Sequence, residues 1–278
     1  MATIAANGTT LYYELRGSGP PVVLISGAPG DAGFWPELAD LLADEFTVLS
    51  YDRRAHSRSP RPENWVTTSI DEHADDTAAL LEALDLAPAV AWGHSGGGLV
   101  LTSLALRRPD VLRGAVFHEP AFFTVTPAGR AVVEGLQGTV ADAMARGGPP
   151  LAMELFLRWA DGDEVYESLD PAFRDRMLGD GEVLFGMEME LSLSYLPTPD
   201  QLGGLAVPSV VLAGADNRDP DAVLHGLYGA AQWTAVGLGA PLVETPGAHV
   251  PQITHPRELA ALIRPILTRL AASAPVDA

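Results

Sequence analysis

The chain alternates short apolar runs with helical patterns, and this alternation constrains the fold more than any other feature of the sequence. The apolar runs cover residues 22–25, 46–51, 89–92 and 112–118. The helical patterns cover residues 35–42, 69–84 and 97–107. Short apolar runs bounded by Gly and Pro are typical of strands buried on both faces. We therefore predict an α/β fold, with a mostly parallel sheet and helices on both of its faces.

The alternation stops after residue 120 and resumes near residue 207. The interval contains no convincing buried strand, and its helical patterns cover residues 128–145, 150–159, 171–178 and 182–196. The elements expected after it are a strand at 207–213, a helix at 219–229, a strand ending at Val243 and a helix at 256–270. We expect a core formed by residues 1–120 and 201–278, with residues 121–200 inserted as a helical domain.

Composition limits the partners and the compartment. The net charge is −19, and an acidic surface repels phosphate backbones, so nucleic acid is not an expected partner. The sequence has no cysteine, which excludes disulfides, thiolate nucleophiles and Cys-based metal sites. The N-terminus has no signal-peptide pattern, and no apolar run approaches the ~18 residues of a membrane span. A soluble cytoplasmic protein without membrane contacts is expected.

A glycine-rich turn joins the apolar run at 89–92 to the helix that follows it. Residues 93–97 are Gly-His-Ser-Gly-Gly, which matches the pattern G-x-S-x-G. In such a tight turn, side chains two positions either side of the serine would clash, and the serine hydroxyl is exposed at the tip. A plain glycine-rich turn and a phosphate-binding loop are the alternatives, but the segment matches no phosphate-loop pattern. We predict Ser95 as a nucleophile, and we expect His94 to pack beside the turn.

A serine nucleophile needs a base and a site for the oxyanion. His249 lies in a loop after the final strand, at the carboxyl edge of the sheet where the turn of Ser95 also lies. The rival, His255, stands where the last helix begins and is assigned to that helix. The backbone N–H groups of Ala28 and Gly96 are the predicted oxyanion donors, since both belong to loops at this edge.

Five segments carry a resemblance to a known family. They are Asn-Gly at 7–8 in a first hairpin, Gly-Ala-Pro-Gly at 27–30, Tyr-Asp-Arg-Arg at 51–54, Gly-His-Ser-Gly-Gly at 93–97 and Pro-Gly-Ala-His at 246–249. In this order and spacing the chain resembles the α/β-hydrolase superfamily, in its serine hydrolase branch, over essentially its whole length. The resemblance implies an eight-stranded sheet, a helical cap after the sixth strand, catalysis without a cofactor and a structural role for the loop at 51–54.

The sequence departs from that family at two places. Ser26 stands where the oxyanion loop usually begins with His, so local hydrogen bonding should differ. Asn217 stands where members commonly carry the acid that orients the histidine. Glu119 is the predicted acid, because it ends a strand at the catalytic edge and some members carry their acid there. Asp216 and Asp219 remain the alternatives.

These residues predict a serine hydrolase that cleaves an ester or lactone of a small, largely apolar substrate through an acyl-enzyme. A carbon–carbon hydrolase or a perhydrolase would use the same residues, and a non-hydrolytic ligand-binding member of the fold is the alternative from another class. No histidine pair has helical metal-ligand spacing near a carboxylate, so no metal site is expected. A small-molecule substrate is the expected partner, and a homodimer is left open. The insertion is expected to form a hydrophobic pocket, without an assigned contact for any single residue. Its large apolar residues are Phe122, Phe123, Phe156, Trp159, Phe185, Met187 and Tyr195.

Overall fold

The computed structural model describes residues 2–274, so residue 1 and residues 275–278 of the expected core lie outside the described residues. Eight strands form one sheet in the order β1-β2-β4-β3-β5-β6-β7-β8. The strands are β1 Ala2–Ala6, β2 Thr9–Arg16, β3 Pro21–Ile25, β4 Thr47–Tyr51, β5 Ala89–His94, β6 Leu112–His118, β7 Ser209–Gly214 and β8 Leu242–Thr245. All pairs from β4 to β8 are parallel, whereas β2 is antiparallel to both β1 and β4. The predicted eight-stranded, mostly parallel sheet is confirmed.

The helices of the described residues cover the sheet and fill the interval between β6 and β7. They are α1 Pro36–Leu42, α2 Ile70–Ala83, α3 Gly96–Arg107, α4 Pro127–Asp161, α5 Asp163–Ser168, α6 Pro171–Gly179, α7 Gly181–Val183, α8 Met189–Ser194, α9 Pro199–Gly203, α10 His225–Leu238, α11 Pro251–Thr254 and α12 Pro256–Ala271. A π-helical turn, Leu184–Glu188, joins α7 to α8. Within residues 2–274, no helix combines the length and the apolar character needed to cross a membrane.

Side chains of successive strand residues point to opposite faces, so each central strand contributes to two cores. On β3, Val22 and Leu24 belong to the core beneath α1 and α12, while Val23 and Ile25 belong to the core beneath α2 and α3. All four side chains are fully buried. This explains why the strand reads as a continuous apolar run: it has no face in contact with water.

The inserted helices run from the turn Phe123–Val125 to α9. The helices expected at 128–145 and 150–159 both lie in α4, which is broken at Gly148. The helix expected at 182–196 is divided among α7, the π-helical turn and α8, and α5 and α9 match no predicted helix. Gly148 has a φ of 70°, which glycine adopts readily, and Pro149 and Pro150 follow it. The break therefore separates two helical arms that the sequence had indicated as separate helices.

The helix predicted at 219–229 is wrong in its bounds, because α10 begins only at His225. The carboxylate of Asp219 accepts the backbone N–H of Asp221, and Pro220 lies between them. Such a side-chain bond competes with helical hydrogen bonding and favours a turn. The preceding residues, Ala215–Arg218, form a 3₁₀ turn that places Asn217 against the end of β6.

Candidate active site

The turn between β5 and α3 holds Ser95 in a conformation that few non-glycine residues adopt, with φ 54° and ψ −121°. Such a conformation costs about 1–3 kcal/mol and persists only where the surroundings fix it. A Cβ atom at Gly93 would overlap the Gly97 carbonyl, and one at Gly97 would overlap the carbonyl of Ile25. Both outer glycines of the motif are therefore required by packing.

Backbone hydrogen bonds fix this turn from two sides. The Ser95 N–H donates to the carbonyl of His118 at 2.9 Å. The Ser95 carbonyl accepts the N–H groups of Gly98 at 2.9 Å and Ala121 at 3.1 Å. Within the described chain the Ser95 side chain forms no capping bond with α3, so its hydroxyl remains free for another partner.

His249 and Glu119 meet at the same edge of the sheet. His249 Nδ1 lies 2.7 Å from Glu119 Oε2, and both side chains are buried. Ser95 and His249 line one small pocket, although no hydrogen bond joins their side chains among residues 2–274. Hydrogen bonds of this kind are often longer before a substrate binds. The structure thus brings together Ser95, His249 and Glu119.

The Glu119 carboxylate is held by three residues. Gly214 N–H donates to Oε1 at 2.9 Å, and Asn217 Nδ2 lies 2.9 Å from Oε1 and 3.0 Å from Oε2. The hydrogen bond from His249 adds a further donor. Burial alone raises the pKa of Glu119, but the hydrogen bond and charge of His249, with the Asn217 amide, outweigh burial and hold that pKa below its ordinary value. Glu119 is therefore an anion facing His249.

The alternative acids and the rival histidine have other contacts. The Asp219 carboxylate accepts a backbone N–H in its own turn. In the part of the chain that the structure describes, neither Asp216 nor Asp219 forms a hydrogen bond with His249. His255 Nδ1 lies 2.9 Å from the hydroxyl of Thr254, where α12 begins. None of these three residues lines the pocket that contains Ser95.

His94 supports the loop that carries His249. Its Nε2 donates to the backbone carbonyl of His249 at 2.8 Å, and the two rings lie 4.5 Å apart between centroids. Burial, together with the nearby charges of His249 and His118, lowers the pKa of His94 well below its ordinary value. A neutral His94 therefore fixes the backbone of the loop without carrying a charge.

The predicted oxyanion donors lie in backbones that face each other. A Cβ atom at Gly27 would lie 2.7 Å from Ser95 Cβ, and one at Gly96 would lie 3.7 Å from the Ala28 nitrogen. The loop carrying Ala28 is therefore packed directly on the turn that carries Ser95. Ser26, at the family's usual His position, donates from Oγ to the Asp31 carbonyl at 2.9 Å and accepts from Trp35 Nε1 at 2.7 Å.

Comparison with known protein families gives a match over most of the chain. The family model for the alpha/beta hydrolase fold matches residues 20–256, which includes every segment that contributes to the site. The chain belongs to the alpha/beta hydrolase fold family.

Relatives of this family resemble the chain in part of its length. It is 36% identical over 118 residues to an uncharacterized hydrolase, YraK, from Bacillus subtilis, and 35% identical over 116 residues to a zearalenone hydrolase from Bionectria ochroleuca. These matches cover 42% and 41% of this chain and 44% of each relative, so the chain spans less than half the length of the curated relatives it matches.

Solved structures of the alpha/beta hydrolase fold resemble the chain over nearly its whole length. A thermophilic esterase from Thermogutta terrifontis superimposes with a TM-score of 0.76 at 24% identity, covering 97% of both chains. An enol-lactonase from Burkholderia xenovorans gives a TM-score of 0.73 at 24% identity, covering 96% of this chain and all of the other. At this level of identity the likeness shows a shared fold.

Arg53 connects the oxyanion loop to the inserted helices. Its guanidinium Nη2 donates to the carbonyl of Gly27 at 3.2 Å and to Glu188 Oε2 at 2.9 Å. The Gly27 carbonyl and the Ala28 N–H belong to one peptide unit, which is planar. Arg53 therefore sets the direction of the Ala28 N–H, while Glu188, from the π-helical turn, holds Arg53.

Glu188 is a buried anion with several cationic or hydrogen-bonding neighbours. Its Oε1 lies 3.1 Å from Arg53 Nη1 and 2.9 Å from His73 Nε2, and its Oε2 lies 3.5 Å from His56 Nε2. Burial alone raises the pKa of Glu188, but the Arg53 guanidinium and the two histidines outweigh it and hold that pKa well below its usual range. Burial also lowers the pKa of His56 to about 4. The Arg53 guanidinium makes the largest contribution to lowering the pKa of Glu188.

Glu188→Gln should weaken both the packing of the inserted helices and the oxyanion loop. Removing one member of a buried ion pair leaves the other charge uncompensated, so the free energy of unfolding should fall by about 3–5 kcal/mol. The kcat for hydrolysis should fall about tenfold, less than the loss expected from deleting an oxyanion donor outright. Thermal unfolding and steady-state kinetics measure the two effects. Glu190→Gln, an exposed neighbour, is the control; equal effects of the two variants would contradict this role.

Two cavities meet at Ser95. The first, here called the apolar cavity, has a volume of about 210 Å³. Its lining includes Ala28, Ser95, Gly96, Phe123, Leu136, Val140, Leu184 and Met189. The second, here called the His249 pocket, has a volume of about 30 Å³. Its lining includes His94, Ser95, Trp159, Asp161, Leu224 and His249. Gly96 thus lines the apolar cavity, His249 lines the smaller pocket, and Ala28 lines both.

The inserted helices provide most of the apolar cavity. Among the large apolar residues singled out in the sequence, Phe123 and Phe156 line both cavities and Trp159 lines the His249 pocket. Phe122 instead packs against Trp233, with ring centroids 5.6 Å apart. The remaining three of the set, Phe185, Met187 and Tyr195, pack against buried core residues.

Sequence reasoning missed the contacts that support the site. The loop at 51–54 was expected to be structural, and Arg54 fits this, since it pairs with Asp76 and the Asn7 carbonyl. Arg53 in the same loop contacts the oxyanion loop, and its partner Glu188 lies 135 residues away. A periodic pattern cannot join two such distant positions. The third missed residue, Asp161, lies in the His249 pocket.

Proposed function

We propose that this protein is a serine hydrolase that cleaves an ester or lactone with a small, largely apolar acyl part. The observation that carries the proposal is the buried hydrogen bond between Glu119 and His249, beside Ser95 in its strained turn. A carboxylate at Nδ1 fixes the histidine tautomer with its proton on that nitrogen, which leaves Nε2 free to accept a proton. Ser95, His249 and Glu119 are thus the proposed nucleophile, base and acid.

The acylation step uses these groups in sequence. His249 Nε2 takes the proton from Ser95 Oγ as the oxygen attacks the carbonyl carbon of the ester. The carbonyl oxygen becomes an oxyanion, which accepts hydrogen bonds from the N–H groups of Ala28 and Gly96. The imidazolium is stabilised by the Glu119 carboxylate. It then donates its proton to the departing alkoxide, so that the alcohol leaves and an acyl-Ser95 ester remains.

Deacylation repeats the same proton transfers with water. His249 Nε2 removes a proton from water as the water oxygen attacks the acyl carbon of Ser95. The second oxyanion occupies the same pair of N–H groups. Collapse breaks the bond to Ser95 Oγ, which recovers its proton from His249. The carboxylic acid is the second product, and the cycle needs no group beyond this chain's own residues and water.

The apolar cavity supports an acyl group without charge. It is lined by aliphatic and aromatic side chains, and it opens onto Ser95 beside the oxyanion donors. A cavity of about 210 Å³ is compatible with a short or medium acyl chain. Most of its walls come from residues 121–200, which we propose as a cap domain that selects the substrate.

The non-hydrolytic alternative loses its main support from the site. A missing acid would favour a member of the fold that binds without turnover, and here Glu119 places a carboxylate at His249. Carbon–carbon hydrolysis and perhydrolysis would use the same residues, and no contact of the site favours either over ester cleavage.

Two measurements test the proposal together. Covalent labelling by a fluorophosphonate, located by peptide mass, should occur at Ser95, because only an activated serine attacks phosphorus rapidly. Hydrolysis of p-nitrophenyl esters with acyl chains from two to twelve carbons should show a maximum set by the apolar cavity. The absence of both labelling and hydrolysis would overturn the proposal.

Leu136→Trp should shorten the preferred acyl chain. Leu136 is buried on α4 and lines the apolar cavity, so an indole there would occupy space now open to the acyl group. Overfilling a packed site costs about 1–3 kcal/mol, which predicts a loss of about tenfold or more in kcat/KM for long esters and little change for acetate. Met144→Trp, on an exposed part of the same helix, is the control. A uniform loss over all chain lengths would contradict the assignment of this cavity to the acyl group.

A further inference from the structure

The His249 pocket contains a carboxylate that the proposed mechanism does not use. Asp161 is the last residue of α4, and it lines this pocket together with Ser95 and His249. Its Oδ1 is enclosed, with no hydrogen-bond partner among the described residues. A buried acceptor of this kind costs free energy unless a partner arrives.

The position of Asp161 in its helix adds to this cost. The carboxyl end of a helix carries a partial negative charge, so it disfavours an acidic side chain. Two nearby acidic residues, in contrast, have a cationic partner: Glu154 and Asp163 both pair with Arg158. Burial raises the pKa of Asp161 to about 6, and the nearby charge of His249 acts in the opposite direction. At about pH 8 the carboxylate is therefore ionised, with its Oδ1 unsatisfied by any residue from 2 to 274.

The geometry of the two cavities indicates which part of a substrate reaches Asp161. Gly96 and the larger volume lie on one side of Ser95, in the apolar cavity, whereas Ala28 lines both cavities. His249, which protonates the leaving alcohol in the proposed mechanism, lines the smaller pocket. The alcohol part of an ester must lie near the group that protonates it. Acyl and alcohol parts are thus separated between the two cavities, with the alcohol beside Asp161.

We infer that Asp161 Oδ1 is a specificity-determining acceptor for esters whose alcohol part carries a second hydrogen-bond donor, such as a diol monoester. This inference rests on the proposed function, because it assigns the alcohol side by the role of His249. The His249 pocket is the smaller of the two cavities, with a volume of about 30 Å³, so a short alcohol part is expected. Hydroxyl binding satisfies the enclosed oxygen, whereas an alkyl group of the same size leaves it unpaired.

Two isosteric esters test the inference directly. Propyl hexanoate and 2-hydroxyethyl hexanoate share the acyl group and differ only by a methyl or a hydroxyl at the end of the alcohol. At about pH 8, wild-type kcat/KM should favour the hydroxyethyl ester by about tenfold, the usual effect of a hydrogen bond to a charged group. Asp161→Ala should abolish the preference by lowering kcat/KM for the hydroxyethyl ester alone. Asp161→Asn, which keeps an acceptor oxygen without the charge, should retain part of it.

The outcomes separate the inference from the proposed function. Asp163→Asn is the matched control, since this exposed neighbour pairs with Arg158 outside the pocket, and it should keep the wild-type preference. If wild type hydrolyses both esters equally, or if Asp161→Ala slows both equally, the inference is overturned while the serine mechanism stands. If neither ester is hydrolysed and Ser95 is not labelled by a fluorophosphonate, the proposed function fails, and this inference fails with it.

Discussion

Ser95→Ala should lower kcat by a factor on the order of 10³ or more while the protein remains folded. The proposed mechanism has no other nucleophile at the turn, so the variant retains only what the oxyanion donors and binding provide. The fold should be unaffected, because the Ser95 side chain forms no capping bond with α3 within the described chain. Alanine also keeps the backbone conformation that the hydrogen bonds from Gly98 and Ala121 impose.

Initial rates with a hexanoate ester, fluorophosphonate labelling and thermal unfolding measure this prediction. Labelling should disappear and the melting temperature should remain close to that of wild type. Ser194→Ala, at an exposed hydroxyl on α8, is the control and should keep full activity. A Ser95→Ala protein with activity within tenfold of wild type would show that another residue is the nucleophile.

The sheet could be predicted because its strands obey a simple rule. Central parallel strands such as β3 are buried on both faces, so burial forces an apolar run that is visible without a structure. The first hairpin was visible for a local reason as well. Asn7 and Gly8 both have positive φ, 45° and 71°, as the tight turn between two twisted strands requires. Helix bounds were less predictable, since the turn at Asp219 depends on one side-chain bond.

The proposed nucleophile was visible in the sequence for the same kind of reason. Gly93 and Gly97 are required by the tight turn, so the position of Ser95 is marked by its neighbours. The residues that support the site, Arg53, Glu188 and Asp161, have no such pattern in the sequence around them. Arg53 reaches Glu188 only because the inserted helices fold back over the sheet. Asp161 is unusual only in having no partner for Oδ1 among the described residues, which a sequence cannot reveal.

The proposed acid was the most difficult residue of the site to predict, and the contacts of Asn217 give a physical reason for this difficulty. Asn217 stands where family members commonly carry an acid, but it has its own role here. Its amide donates to both oxygens of Glu119. An aspartate at 217 would place a second negative charge against Glu119, which would raise the pKa of one of the two. The two positions therefore depend on each other, because the Asn217 amide donates to the Glu119 carboxylate. In the sequence alone, Asn217 looked like a departure from the family.

Glu119→Gln should lower kcat by up to ~10⁴-fold if Glu119 orients His249. The amide would keep the volume of the carboxylate but could donate to Nδ1, which would move the histidine proton to the nitrogen that must accept from Ser95. The imidazolium would also lose its counter-charge. Kinetics and thermal unfolding should be measured together, because the new amide would offer the Asn217 side chain fewer acceptors than the carboxylate does. Near-normal activity, with Asp216→Asn or Asp219→Asn inactive, would place the acid after β7 and contradict the role of Glu119.

The double variant Glu119→Gln/Asn217→Asp tests whether the loss of kcat in Glu119→Gln comes from the missing charge or from a disturbed fold. It exchanges a carboxylate and an amide between two side chains already 2.9 Å apart, so the buried charge and the number of donors are conserved. A carboxylate at 217 restores a negative charge near Nδ1, and kcat should recover by about tenfold or more over Glu119→Gln alone. Asn217→Asp alone should not raise activity, because two carboxylates would then compete for one proton. If the double variant regains its stability but none of its activity, the carboxylate must stand at Glu119 itself, and charge near His249 is insufficient.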